Sequence, residues 1–275
     1  MAATVALACA GVAAHEHSRI RRLLLPLWIE TQRDISYGPD PQNRLDVLRP
    51  RWKARGQSPG VLVFHGGGWT RGSREDMYDR VCRRYVEMGF VAVNADYRLG
   101  AIGPAVEDAS RALEWVWDAA PALGIDGTRL IVTGESAGSY LALLAAFQSK
   151  RRVAAVVNFY GPTDLTSLWS RPAIRPLLSS DQATDMASRL SPLAFLRPDL
   201  PPVLSIHGTA DQTIPPEQPA ALTHALQTVG ADASAFYING AGHGFSEAEQ
   251  EVAYTAVFDF LRRHRILPVA SRPTQ

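Results

Sequence analysis

Cysteine is scarce in this chain: two residues, Cys9 and Cys82, stand far apart among 275. That excludes a disulfide framework, and Cys82, inside a helical pattern, reads as a small buried hydrophobe. Cys/His spacing of the zinc type is missing as well. His15-Glu16-His17 comes nearest to a metal cluster and reads as a solvated charge patch. An excess of charge of one sign is also lacking: net charge is +1 with no long basic run, which argues against nucleic acid as the main partner. No apolar run is long enough to span a bilayer. The alanine-rich opening, Met1 to Ala14, lacks the basic segment that precedes an export signal; Arg19-Ile20-Arg21-Arg22 follows it instead. A cytoplasmic location without stable membrane insertion is the expectation. Repeats and low-complexity segments are absent too.

What remains is a chain rich enough in apolar residues, 46%, to bury a large core. From Arg33 onward β-type and helical patterns alternate. Strands are expected at Asp34–Tyr37, Arg44–Pro50, Val61–Phe64, Phe90–Val93, Leu130–Thr133, Val153–Phe159, Val203–Ile206 and Ser234–Ile238. Between them, helical spacing covers Glu75–Met88, Pro104–Ala119, Ala137–Gln148, Pro216–Val229 and Glu247–Arg263. Dense turn chemistry at Gly38 to Asn43 makes the first two strands an antiparallel N-terminal edge. The rest predicts an α/β fold: a mostly parallel eight-stranded sheet with helices on both faces. Ligands in such sheets gather beyond the carboxyl ends of the strands.

One domain over residues 33–266 follows, with 1–32 as a tail or partial cap and 267–275 as a tail. Tyr160 to Pro202 is the longest stretch without clear periodicity and reads as a small cap excursion. Leu23 to Trp28 fits either a short helix packed on the body or a lip over the site.

The chain is organised around Gly134-Glu135-Ser136-Ala137-Gly138. A β-rich run ends there and a helical pattern begins at once, the context of a nucleophile elbow. So tight a turn strains the serine backbone and lifts its hydroxyl above the sheet edge, at the positive end of a helix. Gly-x-Ser-x-Gly alone is short and common; the partners decide. Serine needs a base, and imidazole can take its proton and return it to a leaving group. His243, in the glycine-rich loop Gly240 to Phe245 between the last strand and last helix, is the candidate. His224 and His264 lie on helices, His15 and His17 in the tail. His207 ends a strand and reads as structural.

The orienting acid is Asp211, after the strand Val203–Ile206. Asp232 reads as a turn residue and Glu217 as a helix-opening charge. Ser136, Asp211, His243 is then the chain order of the α/β-hydrolase arrangement. A tetrahedral oxyanion needs fixed donors, and Gly66-Gly67-Gly68 follows a buried strand with Phe64 and Trp69 gripping its ends. The donors expected are the N–H groups of Gly67, Gly68 and Ala137. His65 is expected to hold that loop by hydrogen bonding rather than act as a base.

These residues carry a resemblance. The chain resembles the α/β-hydrolase superfamily, and within it the hormone-sensitive-lipase-like carboxylesterases, especially the bacterial feruloyl-esterase-like branch. The matching stretches are His65 to Trp69, Asp96 to Leu99, Gly134 to Gly138, Tyr160 to Asp164, His207 to Asp211 and Gly242 to Phe245, with a similar lead-in at Tyr37-Gly38 and Asn43 to Val47. The resemblance covers roughly Asp34 to Arg263 and implies neither a metal nor an organic cofactor. It also implies that Asp96, Tyr97 and Arg98 brace the oxyanion loop. Many of these enzymes carry a second glycine after the elbow, where this chain has Ser139, and a longer N-terminal cap. Trp69, Tyr160 and Phe245 either line an apolar acyl pocket or pack the core.

The chemistry expected is hydrolysis of small or short-acyl carboxylic esters by a serine carboxylesterase. An aryl formamidase on the same triad is the alternative; a non-catalytic binding protein fits poorly with an intact triad. The sequence leaves room for a homodimer.

Overall fold

Extended runs of five to eleven residues, punctuated by turns, assemble into an eight-stranded sheet ordered β1-β2-β4-β3-β5-β6-β7-β8. The strands are β1 (Ile29–Ser36), β2 (Arg44–Pro50), β3 (Ser58–Phe64), β4 (Val91–Ala95), β5 (Ile125–Glu135), β6 (Ala155–Phe159), β7 (Val203–Gly208) and β8 (Ala233–Ile238). The computed structural model describes residues 28–51, 56–168, 171, 174–178 and 183–268. Cys9, His15-Glu16-His17, the Leu23–Leu27 segment and most of the C-terminal tail lie outside them; Trp28 packs against the core. β2 is antiparallel to both β1 and β4, and every other pairing is parallel.

Side chains alternate between the two faces, as the pleat requires. Leu62, Phe64, Leu130 and Val132 join one core; Val61, Val63 and Ile131 join the other. The first core is covered by α2 (Ile102–Leu123), α3 (Ala137–Gln148) and α5 (Glu217–Thr228). The second is covered by α1 (Arg83–Glu87), the turns before it, and α6 (Glu247–Arg263). α3 is apolar almost all round and buried from Ala137 to Phe147, which anchors its first residue against the sheet edge. α6 opens on a capping box in which the Ser246 hydroxyl accepts from the Glu249 N–H. No helix among the described residues is long and apolar enough to cross a membrane.

Three expectations need correction. The first strand starts at Ile29, not Asp34, so residues 29–32 belong to the sheet rather than to a tail. It is an edge strand with most side chains exposed, so its apolar signal is weak. The helix expected at Glu75–Met88 is a 3-10 turn (Arg74–Met77), a π turn (Tyr78–Cys82) and then α1. There, Tyr78 donates to Asp46 at 2.6 Å while Val81, Cys82 and Tyr85 still face the core. Finally, α2 runs to Leu123 with Pro121 in its last turns and stops on left-handed Gly124, φ +70°.

The Tyr160–Pro202 excursion contains α4 (Ala183–Arg189) and short 3-10 turns. Its Leu165, Leu168, Ile174 and Leu177 join the same core as α3, and the Tyr140 hydroxyl donates to the Leu190 carbonyl at 2.8 Å.

Candidate active site

The strand order decides what can meet. After β3 the chain steps to β4 on one side, then crosses to β5 on the other, so the outlets of β3 and β5 are neighbours at the switch. Phe64 at the end of β3 pairs with Gly134, which places Gly66-Gly67-Gly68 beside Ser136. At the other end β7 and β8 pair, and their outlets carry Asp211 and His243. β6 lies between the two halves and feeds in Tyr160.

Ser136 sits at φ +52°, ψ −118°, a conformation that costs a non-glycine residue on the order of 1–3 kcal/mol. Surrounding bonds hold it there. The Ser136 N–H donates to the Phe159 carbonyl at 2.9 Å, and the Phe159 N–H donates to Ser139 Oγ at 2.7 Å. The Ser139 hydroxyl in turn donates to the Gly134 carbonyl. Ser139 thus clamps the elbow to β6 from behind.

His243 Nε2 lies 2.9 Å from Ser136 Oγ, and its Nδ1 lies 2.8 Å from Asp211 Oδ2. A carboxylate can only accept, so Nδ1 carries the proton and Nε2 offers its lone pair to the serine hydroxyl. The other Asp211 oxygen accepts the Thr213 and Ile214 N–H groups at 2.8 and 2.9 Å. Burial opposes charge on Asp211, but hydrogen bonds from His207, His243 and the Ile214 N–H outweigh it and hold the carboxyl well below its ordinary range. It therefore stays ionised beside the imidazole.

The glycine loop offers N–H groups because its carbonyls are engaged elsewhere. The Tyr97 hydroxyl donates to the His65 carbonyl at 2.9 Å, His65 Nδ1 to the Gly66 carbonyl at 2.7 Å, and the Gly100 N–H to the Trp69 carbonyl at 2.7 Å. The Gly67, Gly68 and Ala137 N–H groups have no partner among the described residues. Gly67 sits at φ +114°, and a Cβ there would fall 2.0 Å from the Arg71 carbonyl oxygen, so only glycine fits.

His65 itself is buried and stacked on Tyr97, with ring centroids 4.3 Å apart. Burial pushes its pKa below the usual 6.5, against the pull of the Gly66 carbonyl and Asp96. An unfolded chain takes up this proton at higher pH than the folded one, so His65 favours unfolding as pH falls below about 6.5. The melting temperature should therefore drop between pH 7 and pH 5, and drop less steeply in His65→Gln; parallel profiles for the two proteins would refute this.

Of the three bracing residues, Tyr97 acts directly. Asp96 Oδ1 stands 3.7 Å from His65 Nε2 and is itself held by Arg74, accepting from its N–H at 2.6 Å and pairing with its guanidinium. Arg98 instead anchors α2 through buried Asp108, at 2.8 Å to each carboxylate oxygen. Arg74 also reaches Asp34 and Asp46, each at 3.1 Å. Nothing in the sequence pattern pointed to Arg74, because its three carboxylates come from β1, β2 and the β4 outlet.

The three aromatic candidates do not form one pocket. Trp69 is 2% exposed and meets Tyr140 edge-on in the core under α3. Tyr160 and Phe245 belong to the opposite face, 4.8 Å apart, with the Tyr160 ring 5.1 Å from that of His243. The Tyr160 hydroxyl lies beside Glu135 and Arg80, which pair at 3.0 Å. Burial pushes the Glu135 carboxyl up against the pull of Arg80. This cluster at the serine's flank was invisible in the sequence, where Glu135 fills a variable position of the elbow motif. Among the described residues no group of three or more His, Cys, Asp or Glu side chains could hold a metal ion.

Residues 45–226, well over half of the chain, match the BD-FAE family model. The chain belongs to the BD-FAE family. This BD-FAE chain is 30% identical over 258 residues to Esterase LipQ of Mycobacterium tuberculosis, covering 83% of itself and 61% of that protein. It spans 52–61% of the length of the first curated relatives it matches. In structure it resembles a truncated carbohydrate esterase from gut microbiota, with a TM-score of 0.77 at 20% identity, covering 86% and 96% of the two chains. It also resembles Thermogutta terrifontis esterase 2 phosphoramylated by tabun, with a TM-score of 0.71 at 26% identity, covering 90% and 97%. The BD-FAE chain thus has the α/β-hydrolase fold.

Proposed function

We propose that this chain is a serine carboxylesterase acting on small or short-acyl esters through an acyl-enzyme. The observation that carries the reading is the relay of 2.9 Å from Ser136 to His243 and 2.8 Å from His243 to Asp211. Ser136 Oγ attacks the ester carbonyl as His243 Nε2 takes its proton. The C–O bond to the alcohol breaks and Nε2 returns that proton to the leaving oxygen. Water then attacks the acyl-enzyme, with His243 again accepting a proton and handing it to Ser136. The oxyanion of both steps meets the N–H groups of Gly67, Gly68 and Ala137, the last at the positive end of α3. One domain, residues 33–266 extended to Ile29, carries all of these parts, with residues 160–202 as a small cap.

Support for a short acyl group comes from the small cap at residues 160–202; Tyr160 and Phe245, packed on each other beside His243, are 3% and 8% exposed and belong to the core. LipQ and LipM bear ester-hydrolase names, and esterase 2 of Thermogutta terrifontis was captured phosphoramylated by tabun. A fluorophosphonate probe should label the folded wild-type chain and not Ser136→Ala. Failure to label would overturn the reading in favour of a binding protein. Rates on a butyrate ester should exceed those on N-formylkynurenine; the reverse order would make the chain an aryl formamidase on the same atoms.

A further inference from the structure

Asp211 serves two histidines, and the esterase reading uses one. His207, the penultimate residue of β7, has no exposed surface, and its Nε2 lies 2.8 Å from the Ile214 carbonyl and 3.3 Å from Asp211 Oδ2. A carbonyl only accepts, so Nε2 carries the proton. His207 Nδ1 is buried with no partner among the described residues. The ring is therefore held as an Nε2–H donor to the loop carbonyl, with the carboxylate oxygen that faces His243 standing 3.3 Å from the same nitrogen.

We propose that His207 is a positioning residue: its Nε2–H fixes the roll of the Asp211 carboxylate and draws charge from Oδ2, the oxygen bonded to His243. Two N–H groups hold Oδ1, His243 Nδ1 bonds Oδ2, and His207 Nε2 stands 3.3 Å from that same Oδ2, which opposes rotation of the carboxylate away from His243. The same ring ties Ile214 back to the end of β7, closing the loop that carries Asp211. The inference rests on reading Ser136, Asp211 and His243 as the triad.

The sign of the effect follows from the charge. A carboxylate with one donor fewer leaves more negative charge at His243 Nδ1 and favours the imidazolium. The enzyme needs His243 unprotonated, so losing the His207 donor moves the acid limb of activity to higher pH. The other groups facing His243 are the Ser136 hydroxyl, Tyr160 from the β6 outlet and Glu135 from the elbow, with Arg80 of the π turn behind them.

The test compares wild type, His207→Phe and His207→Gln on a short ester across pH. In His207→Phe the acid limb of kcat/KM should rise by about 0.5–1 pH unit, and kcat should fall roughly ten- to a hundredfold. KM should stay within about twofold. His207→Gln, whose amide reaches the same oxygen, should restore most of both. A folded His207→Phe protein with an unmoved acid limb would overturn the proposal and leave a purely structural histidine. If the variants do not fold, nitrogen-15 NMR of the wild type decides: a His207 Nε2–H resonance that moves when Ser136 is modified by the fluorophosphonate supports the role, and an unmoved resonance or an Nδ1–H tautomer overturns it. Fluorophosphonate labelling separates the two readings. An unlabelled wild type sinks the esterase assignment, whereas an unmoved limb in a labelled His207→Phe protein sinks the role of His207 alone.

Discussion

Ser136→Ala is expected to lower kcat on a short activated ester by roughly four to six orders of magnitude, with KM within a few-fold of wild type. On the proposed mechanism the hydroxyl forms the acyl bond: among the described residues it is the side-chain nucleophile within reach of His243 Nε2, at 2.9 Å. The oxyanion donors are backbone groups that the substitution leaves in place. What survives should be the weak catalysis of a bound ester in a polarising site. The fold should survive as well, because the elbow is held by backbone bonds to Phe159 and by the Ser139 hydroxyl rather than by the Ser136 side chain. Single-turnover and steady-state rates check this together. Activity near wild type in a pure, folded variant would place the nucleophile elsewhere.

Gly138→Ala is the second large effect, and it is one of sterics. A Cβ at position 138 would fall 2.2 Å from the Phe64 carbonyl oxygen and 2.5 Å from that of His65, both at the end of β3. No rotamer change relieves a clash between two backbones. α3 must back away from the sheet, taking the Ala137 N–H with it, or the end of β3 must shift and carry the glycine loop along. A loss of about 3 kcal/mol is expected, which for a domain of this size lowers the melting temperature by roughly 6–12 °C. Fluorophosphonate labelling should slow by about a hundredfold or more. Gly103→Ala supplies the control: position 103 lies in the first turn of α2 with nothing within 4 Å of its Cβ, so stability should hold or rise slightly. A Gly138→Ala protein that melts and labels like wild type would show that the helix does not press on β3 as the geometry requires.

These two positions also separate what was legible in the chain from what was not. Gly138 could be read as a close-approach glycine from its motif, but the motif suggests contact with its own strand. The atoms that exclude a Cβ belong chiefly to β3, about seventy residues earlier, and only the pairing of Phe64 with Gly134 brings them there. Ser139 read as a departure from the family pattern, and its role as a clamp appears only once β6 lies alongside β5. Trp69, Tyr160 and Phe245 looked like one aromatic group until the sheet divided them between two cores. The Arg74 clamp on Asp34, Asp46 and Asp96 had no signal, since no local period links an arginine to carboxylates on three separate segments.

The amino-acid order by itself determined most of the strands, most of the helices that separate them, and the candidates for nucleophile, base and acid. Burial at period two, helical spacing and strand-end turns are written within a few residues of each position. Tertiary structure decided which strand ends stand side by side. That depends on where each crossover lands, a long-range packing outcome that sets the β4-β3-β5 switch and the β7-β8 pairing. Those adjacencies bring the glycine loop to Ser136, His243 to Ser136 and Asp211, and a second buried histidine to the same carboxylate.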